Sequence, residues 1–310
     1  MLDPSRLYEL TGDLPELGRP VLIQALTGFV DAGSAKELAT DHLLSTLGHQ
    51  PLAVFEADEL VDYRSRRPPM VFVEDHWEDY EEPSIALHLL HDDAGTPFLL
   101  LAGLEPDLHW DAFTAAVISL VERLGVQLTV GLNAIPMAVP HTRPLGLTAH
   151  ATRKELISGH ESWLNRVQVP GSVGNLLEYR LGQRGRDALG FAVHVPHYLS
   201  QASYPTAAEA LISAVSRATG LLLPTQQLRA AAELVDADID KQVAGADEAA
   251  ALVRTLEQQY DAMLAARGEP GPAAASGPLP TADELGAELE RFLAEHTKPG
   301  DQRPGEQPGI

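Results

Sequence analysis

Cysteine is absent from all 310 residues. That excludes disulfides, thiolate nucleophiles and zinc–thiolate centres. Lysine is scarce, at 4 against 18 arginines. Basic excess is missing altogether: the net charge is −22, which argues against a nucleic-acid partner. No apolar run approaches the roughly 20 residues of a membrane span. The first residues, Met1 to Arg6, lack the basic and apolar regions of a signal peptide. The expectation is a soluble, cytoplasmic protein with no membrane contact.

The acidity is uneven. Residues 1–110 carry 21 acids and 6 bases, residues 111–224 carry 7 and 9, and residues 225–310 carry 16 and 7. An anion would therefore prefer the central segment.

Hydrophobic residues make up 45% of the chain, enough for a sizeable core. Pro20–Leu26 is a continuous apolar run of the kind found in a buried strand. A helix follows, with Leu38, His42, Leu43 and Leu47 along one face, Ser34 and Glu37 at capping-box spacing, and Gly48 as its stop. Further strands are expected at 52–56, 85–90, 97–102, 127–132, 145–149 and 190–195. Helices are expected up to Leu124, from Ser172 to Leu181 and from Pro205 to Gly220. Strands alternating with helices imply an α/β fold: a largely parallel sheet covered on both faces. The charged stretch around 64–90 reads as an inserted hairpin.

The expected division is a core at 1–223 and a helical hairpin at 224–267. A flexible linker at 268–280, a short amphipathic helix at 281–297 and a disordered tail at 298–310 complete the chain.

In open α/β sheets, ligands bind beyond the carboxyl ends of the strands. The polar residues that follow the expected strands are Gly28, Asp31, Gly33 and Ser34, then Glu105, then Asn133, His141 and Arg143, then His197 and Tyr198. Asp31 and His197 are the acid–base candidates. Arg143, in an apolar loop marked by prolines, would grip an anion. The N–H groups at Gly33 and Ser34 could also receive one, although Asp31 and Glu37 would repel it. Glu105 and Asp107 could equally cap the helix beside them. The glycines fit neither a P-loop nor a dinucleotide fingerprint. His194 and His197 lack zinc-protease spacing, no Gly-x-Ser-x-Gly elbow is present, and no metal or cofactor is expected.

Four segments carry a resemblance: TGFVDAGSA at 27–35, GLEPD at 103–107, GLNAIPMAVPHTRP at 131–144 and HYLSQASYPTA at 197–207. Together they resemble the proteasome assembly chaperone 2 (PAC2) family, in its actinobacterial branch, over about residues 5–265. The resemblance implies an α/β/α core similar to purine nucleoside phosphorylases, a β-hairpin insertion used for a homotrimer, and a helical C-terminal lid over a ligand cleft. It supplies no catalytic residues, because the family has no agreed activity. Two functions follow: a small-molecule cleft with hydrolase- or phosphorylase-like chemistry, or a non-enzymatic assembly protein that binds a protein partner. An ATP-grasp activity finds little support in four lysines and no phosphate loop.

Overall fold

The computed structural model describes residues 3–28, 30–160 and 166–268. The strands are β1 (Tyr8–Leu10), β2 (Val21–Thr27), β3 (His49–Phe55), β4 (Met70–Val73), β5 (His76–Tyr80), β6 (Ile85–His91), β7 (Pro97–Leu104), β8 (Leu128–Met137), β9 (Leu147–Ala151) and β10 (Ala188–Pro196). The helices are α1 (Ala35–Thr46), α2 (Ala57–Leu60), α3 (Trp110–Arg123), α4 (Val173–Gln183), α5 (Pro205–Thr219), α6 (Gln226–Ala244) and α7 (Asp247–Gly268).

Eight strands form one mixed sheet in the order β1-β3-β6-β7-β2-β8-β10-β9. The central block β7-β2-β8-β10 is parallel throughout. The pairs β1–β3, β3–β6, β6–β7 and β9–β10 are antiparallel. Thus β3, β7, β2, β8 and β10 point one way, and β1, β6 and β9 the other.

Alternation along each strand makes two cores. Val21, Ile23 and Ala25 face α1 and α5, with Ala39, Leu43, Ala208 and Leu211. Leu22 and Leu26 face α3 and α4, with Phe113, Val117, Leu177 and Leu181. The result is a helix–sheet–helix sandwich. The continuous apolar run of β2 is what burial on both faces requires.

Local signals explain most element ends. Ser172 accepts from Asn175 N–H at 3.2 Å and caps α4. Pro205 begins α5 and Gly220, at φ 77°, closes it. Asp92 stitches the β6–β7 turn by accepting from Ala94, Thr96 and Leu222 N–H. The capping box expected at Ser34 and Glu37 does not form: Ser34 makes no side-chain cap bond. Asp31 does that work from further back, its two oxygens accepting from Lys36 N–H at 2.8 Å and Glu37 N–H at 2.9 Å.

Several boundaries differ from the sequence reading. The strand expected at 127–132 runs on to Met137, so Asn133 and the start of the proline-marked loop lie within β8. The inserted hairpin is confined to β4 and β5, which pair only with each other, while β6 joins the main sheet. The short β1 and α2 went unanticipated.

After Pro224, α6 packs on α5, and Gly245 and Ala246 lead into α7. Residues 1–260 form one compact unit, and α7 continues past its boundary. The rest of the linker, the short helix at 281–297 and the tail lie outside the described residues. No helix among the described residues is long and apolar enough to cross a membrane.

Candidate functional site

The chain leaves the neighbouring parallel strands β2 and β7 toward opposite faces of the sheet, through α1 on one side and α3 on the other. That divergence is a topological switch point, where open α/β sheets place their ligands. Gly28, Asp31, Gly33, Ser34 and Glu105 all lie there.

Most of their polar groups are already committed. Gly33 N–H donates to Ser200 O at 2.9 Å and Ser34 N–H to Asp31 O at 3.0 Å, so these two amides are not open to an anion. Glu105 is buried, and its Oε1 accepts from Val173 N–H at 2.5 Å. It therefore serves the start of α4 rather than the helix beside it. Asp107 accepts from Asp62 N–H at 2.9 Å and pairs with Arg66 at 2.8 Å.

Arg66 is a site residue the sequence reading missed. Its Nη1 donates to Glu105 O at 3.0 Å, and its guanidinium lies over Gly28. A Cβ on Gly28 would sit 2.8 Å from both Arg66 Nη2 and Glu105 Cβ, so glycine is required by this close approach. Beside this crossing a cleft of about 360 Å³ opens between α1 and the stems of the hairpin. Glu37, Thr40, Asp41, Arg66, Arg67 and Glu82 are among its walls.

Lys36 was missed as well. It occupies the first turn of α1 and is only 5% exposed. No hydrogen-bond or ion-pair partner of its ammonium is found among the described residues. Burial lowers its pKa, while the charges of Asp31 and Glu105 act to raise it. Burial likewise raises the pKa of Asp31, against the Lys36 and Glu37 amides and the Lys36 charge. No sequence signal marked Lys36, because a lysine in the first turn of a helix reads as a solvated surface residue.

The remaining candidates form a second group, around the 138–146 loop. His141 is almost wholly enclosed, its side chain 3% exposed. Tyr198 Oη accepts from His141 N–H at 2.9 Å and lies 2.7 Å from Nδ1. His141 Nε2 lies 3.1 Å from Asp240 Oδ1 on α6. The consistent assignment has Tyr198 O–H donating to Nδ1 and Nε2–H donating to Asp240. Burial raises the pKa of Tyr198, the Glu257 charge adds to this, and the bond from His141 N–H opposes it.

Arg143 pairs with Glu257 of α7 at 3.2 Å. Thr142 donates to the same carboxylate at 2.6 Å, and Tyr260 Oη to Pro144 O at 3.0 Å. These residues bind the C-terminal helices to the loop. His197 is exposed, its ring 5.4 Å from that of Tyr198. Asn133 pairs with Ala192 inside the sheet. The sequence-derived set thus serves partly the switch point and partly the helix contacts, and no hydrogen bond joins Asp31 to His197 among the described residues.

The second group contains one strained carboxyl. Asp236 Oδ2 accepts from Thr206 Oγ1 at 3.0 Å, but Oδ1 is buried with no partner among the described residues. Burial raises its pKa above the ordinary 3.8, with Asp240 adding and Thr206 and His141 opposing. A carboxyl raised in the native state contributes stability that is full below its unfolded value and is lost as pH rises through the native one. Asp236→Asn is therefore expected to gain in stability on wild type as the pH rises from about 4 to about 7. Chemical denaturation at the two pH values measures this, and an unchanged difference would refute it.

The sequence model of the PAC2 family matches residues 25–243. The chain belongs to the PAC2 family. No curated protein matches it, but solved structures do. A Mycobacterium tuberculosis protein of unknown function, Rv2714, is 52% identical, with a TM-score of 0.82 over 84% of this chain and 93% of that one. A Corynebacterium glutamicum protein of unknown function is 42% identical, with a TM-score of 0.80 over 84% of this chain and 98% of that one. The M. tuberculosis proteasome-assembly chaperone homologue Rv2125 is 25% identical, with a TM-score of 0.69 over 75% of this chain and 99% of that one. Among the described residues no cluster of histidines and carboxylates could hold a metal ion.

Proposed function

We propose that this PAC2 protein works in the cytoplasm by assembly, with the β4–β5 hairpin as its docking surface. It forms a homotrimer and presents itself to a protein partner as an assembly-chaperone type of module. One observation carries the reading. Met70, Val71, Phe72, Trp77 and Tyr80 are all exposed on a two-stranded hairpin that pairs with no other strand. A lone hairpin is marginal in water, and contiguous exposed apolar groups on it favour an interface. The name of the Rv2125 relative points the same way. Light scattering on the purified chain tests the oligomer: a mass of three chains is expected, and a monomer at micromolar concentration would end this reading.

A second reading is favoured by Lys36. In it the switch point holds a small molecule, with α6 and α7 as a lid. The three-layer core would then lend itself to hydrolase- or phosphorylase-like chemistry, by analogy of fold alone. That chemistry has less support than the binding. Asp31 is occupied by helix amides on both oxygens, and His197 is exposed.

A further inference from the structure

We propose that the cleft between α1 and the hairpin stems binds a linear diamine or polyamine, one ammonium on Glu37 and Asp41 and the next on Glu81 and Glu82. This names a ligand class for the second reading above and rests on it.

The cleft, of about 360 Å³, lies in the size range of small-ligand sites. Its polar walls accept far more than they donate. Two carboxylates come from α1, Glu37 and Asp41, one turn apart on the same helix face. Two more, Glu81 and Glu82, come from the chain leaving β5. None of the four forms an ion pair with a base among the described residues. Two threonine hydroxyls in the wall are acceptors as well, because each has committed its proton to a backbone carbonyl. Thr27 Oγ1 donates to Gly103 O at 3.2 Å, and the buried Thr40 Oγ1 to Lys36 O at 2.8 Å. The bases in the walls are Arg66 and Arg67, and Arg66 is already held by Asp107 at 2.8 Å. Lys36 is not among the walls, and its charge answers Asp31 and Glu105.

The occupant must therefore bring donors and positive charge. A phosphate would meet the four carboxylates as like charges. A metal ion finds no group of three ligating side chains among the described residues. An alkylammonium supplies donors and no acceptor. Its hydrocarbon chain matches the rest of the lining, which is apolar: Ala25, Leu104 and the stem prolines Pro68, Pro69 and Pro83. Those prolines leave the stems little backbone freedom to lose on binding. Partial burial raises the pKa of Asp41, and no hydrogen bond or neighbouring charge offsets it. An ammonium beside it would. Because the carboxylates stand on two separate elements, a ligand charged at both ends satisfies both walls, and one with a single charge satisfies only one.

The test is thermal stability of the full chain, at fixed ionic strength, with putrescine, cadaverine and spermidine. Butylamine, butanediol, Nα-acetyl-lysine methylamide, inorganic phosphate and adenosine run alongside. At least one of the three polyvalent amines is expected to raise the melting temperature by several degrees. Butylamine and butanediol should not. Glu37→Gln with Asp41→Asn, and separately Glu81→Gln with Glu82→Gln, should each weaken binding about tenfold by calorimetry. Glu233→Gln with Glu248→Gln, on α6 and α7, should leave it unchanged. All of these positions are exposed, so the variants should keep the fold, which circular dichroism checks. Binding that survives both cleft pairs, or that falls equally in the α6–α7 pair, is general attraction to an acidic chain and overturns the proposal. A lysine derivative that matches the amines overturns the two-ended ligand and assigns the cleft to a side chain of a protein partner. A shift by phosphate or adenosine, with none by amines, overturns the ligand class and leaves the second reading standing. No shift by any probe overturns both.

Discussion

Phe72→Asp combined with Trp77→Asp is expected to turn the proposed three-chain assembly into a monomer without unfolding it. The two rings pack against each other, centroids 5.0 Å apart, and remain 55% and 62% exposed. Neither belongs to the two cores beneath the helices. Their loss should therefore change the stability of one chain by no more than about 0.5 kcal/mol, as for surface positions generally. In an interface they would be anchors. Removing two aromatic anchors at about 2 kcal/mol each weakens association roughly a thousandfold. Buried aspartates would add a desolvation penalty. Sedimentation velocity on the double variant reads the outcome directly. An unchanged mass, with wild type trimeric, would place the oligomer interface elsewhere and leave the hairpin for another partner.

Gly103→Ala is expected to lower stability by about 3 kcal/mol or more, from two costs that add. Gly103 sits at φ 110°, a conformation that side chains resist. A Cβ there would also collide with the Ser84 carbonyl oxygen and come within 2.8 Å of Ile85 Cα. Those atoms belong to the backbone entering β6, which pairs with β7 across Ile85 and Gly103, so they cannot yield as a side-chain tip would. Gly48→Ala is the control. Nothing lies within 4 Å of its added Cβ, and the variant should match or slightly exceed wild type. Urea denaturation of both separates strain from a general effect of filling glycines. Equal midpoints for the two would refute the argument. Because Gly103 and Leu104 line the cleft beside the switch point, the same strain would disturb one of its walls.

Long-range pairing explains why some expectations held and others moved. The run at 20–26 specified a doubly buried strand, because a segment apolar on both faces can satisfy water's exclusion only in the middle of a sandwich. The cap of α4 at Ser172 and the ends of α5 were also local, each set within a few residues by hydrogen bonding or a fixed φ. β8 ran past its expected end because β10 pairs with it through Pro136 and Met137, a partner about 60 residues away. Asp31 took over the cap of α1 because a parallel bridge to Ala134 fixes its position, which the spacing of Ser34 and Glu37 cannot reveal.

Sequence by itself determined the α/β class, the position of the switch-point loops and the family, since hydrophobic period, glycine and proline punctuation and short motifs are properties of neighbouring residues. Tertiary structure alone decided which side chains serve the site. Arg143 and His141 are spent on α7 and α6, and Lys36 is buried within reach of the charges of Asp31 and Glu105. Those outcomes depend on which distant carboxylate reaches which base and on how much water each retains, and burial and charge pairing are set only when the chain has closed on itself.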